Sequence, residues 1–224
     1  MKSTTLLALF LLCALTPSYL PSATATAVFD TDGDPLGNSW LAPDYFILPV
    51  TNGSGGGIAL AATGNERCPV TVVQSHIERD MGFAADFETL PNLPFITEGI
   101  PLIISFNNFE GVPRCFPSAL RWAIVGGLAE GPAVKIVEIE DRNIAYGYFK
   151  IEKAYPLGYK FVFCRISLED TTCGDIGIYT DDKGFRRLVV TKNKPLVVQF
   201  RKFINPLAKK NRLVLPQSKS VRDN

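Results

Sequence analysis

The feature that most narrows the fold of this chain is a recurrence of short runs rich in β-branched and aromatic residues, each closed by turn chemistry. Such runs span 45–50, 70–74, 102–106, 120–125, 134–139, 146–151, 159–164, 176–179, 188–191 and 196–200. Val, Ile, Tyr and Phe suit a pleated, half-buried surface, and runs this short read as strands. Between them stand Asp32-Gly33, Asn52-Gly53, Gly55-Gly56-Gly57, Glu98-Gly99, Glu130-Gly131-Pro132 and Asp182-Lys183-Gly184, residues that supply turns at little steric cost. No long segment carries a helical period of apolar residues. The chain is therefore expected to be all-β, with a barrel or a sandwich both compatible with the imperfect alternation in runs such as Tyr148-Phe149-Lys150-Ile151.

The N-terminus has the layout of a secretory signal: Lys2, an apolar run from Leu6 to Leu15, then Ser22-Ala23-Thr24-Ala25. Residues 1–25 are read as that signal, with cleavage between Ala25 and Thr26; cleavage after Ala27 also fits the small-residue rule. No later stretch reaches the roughly 20 apolar residues a membrane helix requires, so no membrane partner is expected. Of the five cysteines, Cys13 falls within the signal. Cys68, Cys115, Cys164 and Cys173 remain in a chain bound for the secretory pathway, extracellular or vacuolar. An even number there implies two disulfides. Three pairings are open on spacing alone, although Cys164 and Cys173 would close a short hairpin. Residues 26–203 form one domain, and 204–224 read as a basic tail with Lys209, Lys210, Arg212, Lys219 and Arg222.

Composition removes several functions. The formal net charge is only +1 with the basic tail included, so the body is mildly acidic and nucleic acid is not an expected partner. A single histidine, His76, and the absence of a C-x-x-C pair speak against a zinc site. The same scarcity leaves little material for a Ser/His or Cys/His nucleophile, and His76 beside Glu78-Arg79-Asp80 reads as a surface residue. Glu140-Asp141 would serve glycoside chemistry only if the fold set two acids at a working separation. The cluster Asp30, Asp32, Asp34 has Pro35 and Leu41 where a calcium loop needs glycine and glutamate, and reads as a turn. Residues 53–57 lack the ending of a phosphate loop and read as a flexible hairpin. No catalysis, metal or cofactor is expected. Asn52-Gly53-Ser54 is a candidate N-glycosylation sequon.

Four stretches carry a resemblance. Ala62-Thr-Gly-Asn-Glu-Arg-Cys-Pro-Val-Thr-Val-Val-Gln-Ser75, Glu130-Gly-Pro-Ala-Val-Lys-Ile136, Cys173-Gly-Asp-Ile-Gly-Ile178 and Arg186-Arg-Leu-Val-Val-Thr-Lys-Asn-Lys-Pro-Leu-Val-Val-Gln-Phe200 are collinear with the plant Kunitz, soybean-trypsin-inhibitor-type, family of protease inhibitors. The likeness runs from about Val28 to Lys202. It implies a β-trefoil, twelve strands in three pseudo-repeats, although no threefold repeat is visible in the sequence. It also implies the disulfides Cys68–Cys115 and Cys164–Cys173, since the intervals of 47 and nine residues match the family.

The resemblance further implies a monomeric inhibitor of an endopeptidase of the serine class that presents an exposed substrate-like loop. Aligned from Cys68, that loop is Leu90, Pro91, Asn92, Leu93 and Pro94, and the reactive-site bond falls between Asn92 and Leu93. Asn38 matches the asparagine that braces the loop. Three features depart from the pattern. Asn92 at P1 is neutral, and would leave the aspartate in trypsin's pocket without its cationic partner, so strong trypsin inhibition is not expected. Pro94 at P2′ has no N–H to donate to a protease. The segment containing Trp40-Leu-Ala-Pro43 is about three residues longer than the family pattern. Leu90 or Leu93 would suit apolar pockets, and Asn92 an asparagine-specific endopeptidase. The alternatives are a non-inhibitory Kunitz-type storage or defence protein, or a sugar binder using exposed aromatics such as Trp40 or Trp122.

Overall fold

A computed structural model describes residues 26–41, 43–106, 120–126, 131–136 and 144–204. The signal segment 1–25, Cys115, Glu140-Asp141 and the tail from 205 onward lie outside the described residues. Among the described residues there is no helix. The strands are β1 (Tyr45–Pro49), β2 (Ile58–Ala61), β3 (Thr71–Gln74), β4 (Ala84–Thr89), β5 (Leu102–Phe106), β6 (Leu120–Val125), β7 (Ala133–Ile136), β8 (Gly147–Lys153), β9 (Tyr159–Ile166), β10 (Thr171–Thr180), β11 (Arg186–Thr191) and β12 (Val198–Lys202). Every run expected to be a strand overlaps one. Two strands come from elsewhere, β2 (Ile-Ala-Leu-Ala) and β4 (Ala-Ala-Asp-Phe-Glu-Thr). Their Ala, Asp and Glu have low strand propensity, and pairing with neighbours supplies what composition does not.

Antiparallel pairing closes six strands into a ring in the order β1, β4, β5, β8, β9, β12 and back to β1. Long ladders alternate with short ones around it. β12–β1, β4–β5 and β8–β9 have extended registers, whereas β1–β4, β5–β8 and β9–β12 meet at only one or two residue pairs. The hairpins β2–β3, β6–β7 and β10–β11 join each other through β3, β7 and β11, and two of them also continue from ring strands, β6 pairing with β5 and β10 with β9. Closure leaves the ring strands without free edges.

The ring is filled by large apolar side chains directed inward. Phe87 of β4 packs on Phe161 of β9 and Phe200 of β12, with centroids 6.3 and 5.4 Å away. Trp122 of β6 contacts Phe106, Phe149 and Phe161. Trp122 is buried in the core, which removes it as an exposed sugar-stacking aromatic. Fully burying an aromatic or branched aliphatic side chain stabilises by about 1.5–3 kcal/mol, and such residues line every strand of the ring.

Two turn assignments acquire physical detail. Asp30 Oδ1 accepts from the backbone N–H of Asp32 and Asp34 at 2.9 and 3.0 Å, and Lys202 Nζ stands 3.0 Å from Asp30 Oδ2 and also contacts Asp34. The acidic cluster is thus a turn stapled to β12 by an ammonium. Residues 53–57 are not a hairpin, because β1 pairs with β12 and β4 while β2 pairs with β3. A Cβ on Gly57 would lie 2.0 Å from the Met81 carbonyl oxygen, so this glycine permits close passage of two backbones.

Cys164 and Cys173 face each other across β9 and β10, with Cα atoms 4.0 Å apart and their sulfurs bonded. The hairpin closure read from their spacing is correct. Cys68 is also disulfide-bonded.

Candidate functional site

The segment from β4 to β5 leaves the barrel at Thr89 and returns at Ile96. Its residues Leu90, Pro91, Asn92, Pro94 and Phe95 are exposed, and Leu93 is half-buried. Two prolines restrict the backbone, and the peptide between Leu90 and Pro91 is cis. No charged side chain lies between Thr89 and Phe95, so this surface is apolar and uncharged, bordered by exposed Trp40, Leu41, Leu90 and Phe95.

The N-terminal stretch supports the loop from beneath. Val28 N–H donates to Ile96 O, Leu36 N–H to Val28 O and Ile96 N–H to Leu36 O, at 2.8–2.9 Å. Gly37 pairs with Phe95, and Gly37 N–H donates to the buried Tyr45 hydroxyl at 3.1 Å. Burial pushes the Tyr45 hydroxyl above its ordinary pKa. These contacts set Asn38 under the loop.

Asn38 is wholly buried. Its Nδ2 lies 3.1 Å from Thr89 Oγ1, 3.0 Å from Asn92 Oδ1 and 2.8 Å from Leu93 O. Two amide hydrogens face three acceptors, so at least one is shared. The Asn38 backbone N–H donates to Pro94 O at 3.0 Å, and Leu93 N–H donates to Thr89 Oγ1 at 3.1 Å. Leu93 therefore has both backbone groups turned inward. Asn92 does not: among the described residues nothing pairs with its backbone N–H or C=O. At its N-terminal end the loop is held by Leu90 N–H donating to Pro101 O at 3.0 Å.

The side chain of Asn92 has another fate. Its Oδ1 accepts from Asn38 Nδ2 and, at 2.7 Å, from Trp40 Nε1. Asn38 lies beneath the loop and contacts Asn92 and Leu93. Thr89 and Trp40 join it as loop partners; Thr89 carries no signal in the sequence beyond its place before the loop. For Trp40 the signal in the sequence is the lengthened segment around it that the resemblance points to.

The other candidates lie elsewhere. His76 is exposed on the turn after β3, and Asn52 is exposed on the turn after β1. Among the described residues no His, Cys, Asp and Glu grouping could hold a metal ion, and no helix is long and apolar enough to cross a membrane.

Comparison with known proteins gives a consistent result. The profile of the legume Kunitz family, described as trypsin and protease inhibitor, matches residues 28–202. A Kunitz-type trypsin inhibitor of Glycine max is 49% identical over 205 residues, covering 91% of this chain and 98% of its own length. Trypsin inhibitor A of Glycine max is 49% identical over 216 residues, covering 94% and 97%. Soybean trypsin inhibitor superposes with a TM-score of 0.70 at 46% identity, over 79% of this chain and 99% of that one. The same inhibitor in complex with porcine pancreatic trypsin gives 0.70 at 44% identity, over 80% and 99%.

Proposed function

Because this chain belongs to the legume Kunitz family of trypsin and protease inhibitors, we propose that it inhibits an endopeptidase of the serine class through residues 90–94. The observation that carries this reading is the division of labour at the bond between Asn92 and Leu93. Among the described residues nothing pairs with the Asn92 backbone, whereas the Leu93 backbone is pinned to Thr89 and Asn38. A protease can thus line up the Asn92 carbonyl with its nucleophile and oxyanion hole, while the leaving side stays anchored. After cleavage the Leu93 amine would stay beside the Asn92 carboxylate and favour resynthesis. A loop held this way loses little conformational entropy on binding, which is where preorganised binders gain affinity.

The enzyme is the part that the loop's chemistry restricts. Asn92 carries no cation for the trypsin pocket, and Pro94 offers no N–H and has its carbonyl tied to Asn38. Enzymes that accept apolar side chains from Leu90 or Leu93, or asparagine at P1, fit better. Inhibition assays of the mature protein against trypsin, chymotrypsin, subtilisin and an asparagine-specific endopeptidase test this. Inhibition of at least one of the last three at micromolar concentration or below is expected, and none by any enzyme would overturn the reading. Relatives named as trypsin inhibitors and a loop still braced by Asn38 favour inhibition over a storage or defence role.

The same reading extends to the rest of the chain. The closed ring with three linked hairpins supports a β-trefoil of three pseudo-repeats. The disulfide state of Cys68 supports the pair Cys68–Cys115 beside Cys164–Cys173. The protein acts as a monomeric inhibitor and not as a catalyst, enters the secretory pathway through a signal cut between Ala25 and Thr26, and carries a basic tail, 204–224, trimmed as a propeptide. The exposure of Asn52 supports glycosylation there. Mass spectrometry of the native protein reads both ends and Asn52; an intact Asn224 would refute trimming.

A further inference from the structure

We propose that Trp40 is a specificity-determining residue of the loop: its indole N–H holds the Asn92 carboxamide against the protein body, so the free inhibitor offers the Asn92 backbone but withholds its side chain. The inference deepens the proposed inhibitory reading of residues 90–94 and rests on it. A P1 residue contributes to recognition by entering the enzyme's S1 pocket. Here Asn92 Oδ1 already has two donors, Trp40 Nε1 at 2.7 Å and Asn38 Nδ2 at 3.0 Å. Their positions are not accidental. Asn38 is wholly buried and its own Oδ1 accepts from Ser39 Oγ at 3.4 Å, which orients the Nδ2 group toward the loop. Trp40 follows two residues later on a turn closed by Leu41 N–H donating to Asn38 O at 2.8 Å. The turn carries the indole over Asn92 while leaving Trp40 58% exposed, so it is anchored by its backbone and not by packing.

An enzyme that recognises asparagine at P1 must bind the same carboxamide oxygen. It competes with both donors, and the loop must release them before S1 is filled. An enzyme that draws its affinity from the backbone and from Leu90 or Leu93 has no such requirement. The latch therefore discriminates against asparagine-directed proteases while keeping the loop rigid for others. Losing one hydrogen bond to a competing partner changes binding by about tenfold.

The test uses the mature chain with the variants Trp40→Phe, Asn92→Lys, Asn92→Leu and the double variant W40F/N92K. Phenylalanine keeps an aromatic plane and removes the donor, and an exposed position tolerates it. With an asparagine-specific endopeptidase, W40F is expected to raise the second-order rate constant for complex formation or for cleavage after Asn92 by about tenfold; an unchanged rate overturns the proposal. With trypsin, N92K and W40F/N92K are expected to inhibit equally within about twofold, because lysine offers no acceptor to the indole. A tenfold weaker double variant would mean that Trp40 merely props up the loop, and the proposal fails. Hydrogen exchange of the Trp40 indole N–H, followed by NMR, is independent of any protease: several-fold faster exchange in N92L supports the latch and equal rates refute it. If no variant inhibits or is cleaved, the inhibitory reading falls, and the exchange experiment still decides whether Trp40 holds Asn92.

Discussion

Asn38 Nδ2 donates to the carbonyl oxygen of Leu93 across 2.8 Å of space and 55 positions of sequence. This contact fastens a loop to the N-terminal stretch of the chain, and through Gly37 and Tyr45 to the first strand of the barrel. The barrel supplies the rigidity and the loop supplies the chemistry, and Asn38 is the point at which one is transmitted to the other. A buried amide in this place is costly unless all its groups are paired. Its partners Thr89, Asn92, Leu93 and Ser39 satisfy that condition and at the same time shape the loop.

Replacing Asn38 by Ala should strip that support. Leu93 O and Thr89 Oγ1 would each lose a donor, and the expected loss of stability is about 1–3 kcal/mol, read from urea unfolding. The loop should also be cut faster by subtilisin within residues 90–94, which limited proteolysis with mass spectrometry would detect. Wild-type cleavage kinetics in the variant would mean that the brace is dispensable.

Much of this arrangement was legible in the sequence. Runs such as Tyr159-Lys-Phe-Val-Phe-Cys164 are rich enough in β-branched and aromatic residues to be recognised as strands. β4 was missed because Ala84-Ala-Asp-Phe-Glu-Thr89 reads as polar, though it pairs with β5 over five residue pairs and puts Phe87 at the centre of the aromatic core. The ring's threefold alternation of long and short ladders has no counterpart in the sequence, because it depends on backbone pairing and not on side-chain identity. Trp40 was visible only as an exposed aromatic in a lengthened segment. Its contact with Asn92 depends on a turn whose direction no local pattern encodes.

Opening the disulfide between Cys164 and Cys173 by a double substitution to Ser should destabilise the protein by about 2.7 kcal/mol in the chain-entropy account of a loop of this length. The bond joins directly opposed residues of a hairpin that already has an extended register. Hydrogen exchange should therefore rise mainly in β9 and β10, and protection of Asn38 and the loop should stay near the wild-type level. Equal loosening of both regions would show that the hairpin and the loop unfold as one unit.

Tyr45 predicts an alkaline limit on stability. Burial raises its hydroxyl above the ordinary value of 10.0. Below that value both the folded and the unfolded chain keep the proton and the contribution to stability is complete. Above it the unfolded chain releases the proton first, so stability falls as pH rises toward the folded pKa. Lys202, held above the ordinary lysine range by Asp34 and Asp30, acts with the same sign. Tyr45→Phe should flatten the decline above the ordinary tyrosine value of 10.0 in part, while losing the acceptor for Gly37 N–H. An unaltered pH profile in this variant would place the alkaline loss elsewhere.

Asn92→Lys should convert the loop into one that trypsin accepts. In the wild-type pairing a neutral side chain would face the pocket aspartate, and supplying its cation restores an interaction of the kind worth about 2–5 kcal/mol when one partner is removed from a buried pair. That corresponds to trypsin inhibition tighter by about 30-fold to several thousand-fold. The gain should fall short of full strength because Pro94 still has no N–H to donate and its carbonyl remains bonded to Asn38. Adding Pro94→Ala separates the two terms: the double variant should inhibit trypsin more tightly than N92K alone if the missing N–H limits binding. It should inhibit less tightly if Pro94 matters chiefly by stiffening the loop. Measured inhibition constants for the two single variants and the double variant decide between these, and an N92K protein as weak toward trypsin as the wild type would remove Asn92 from the P1 position.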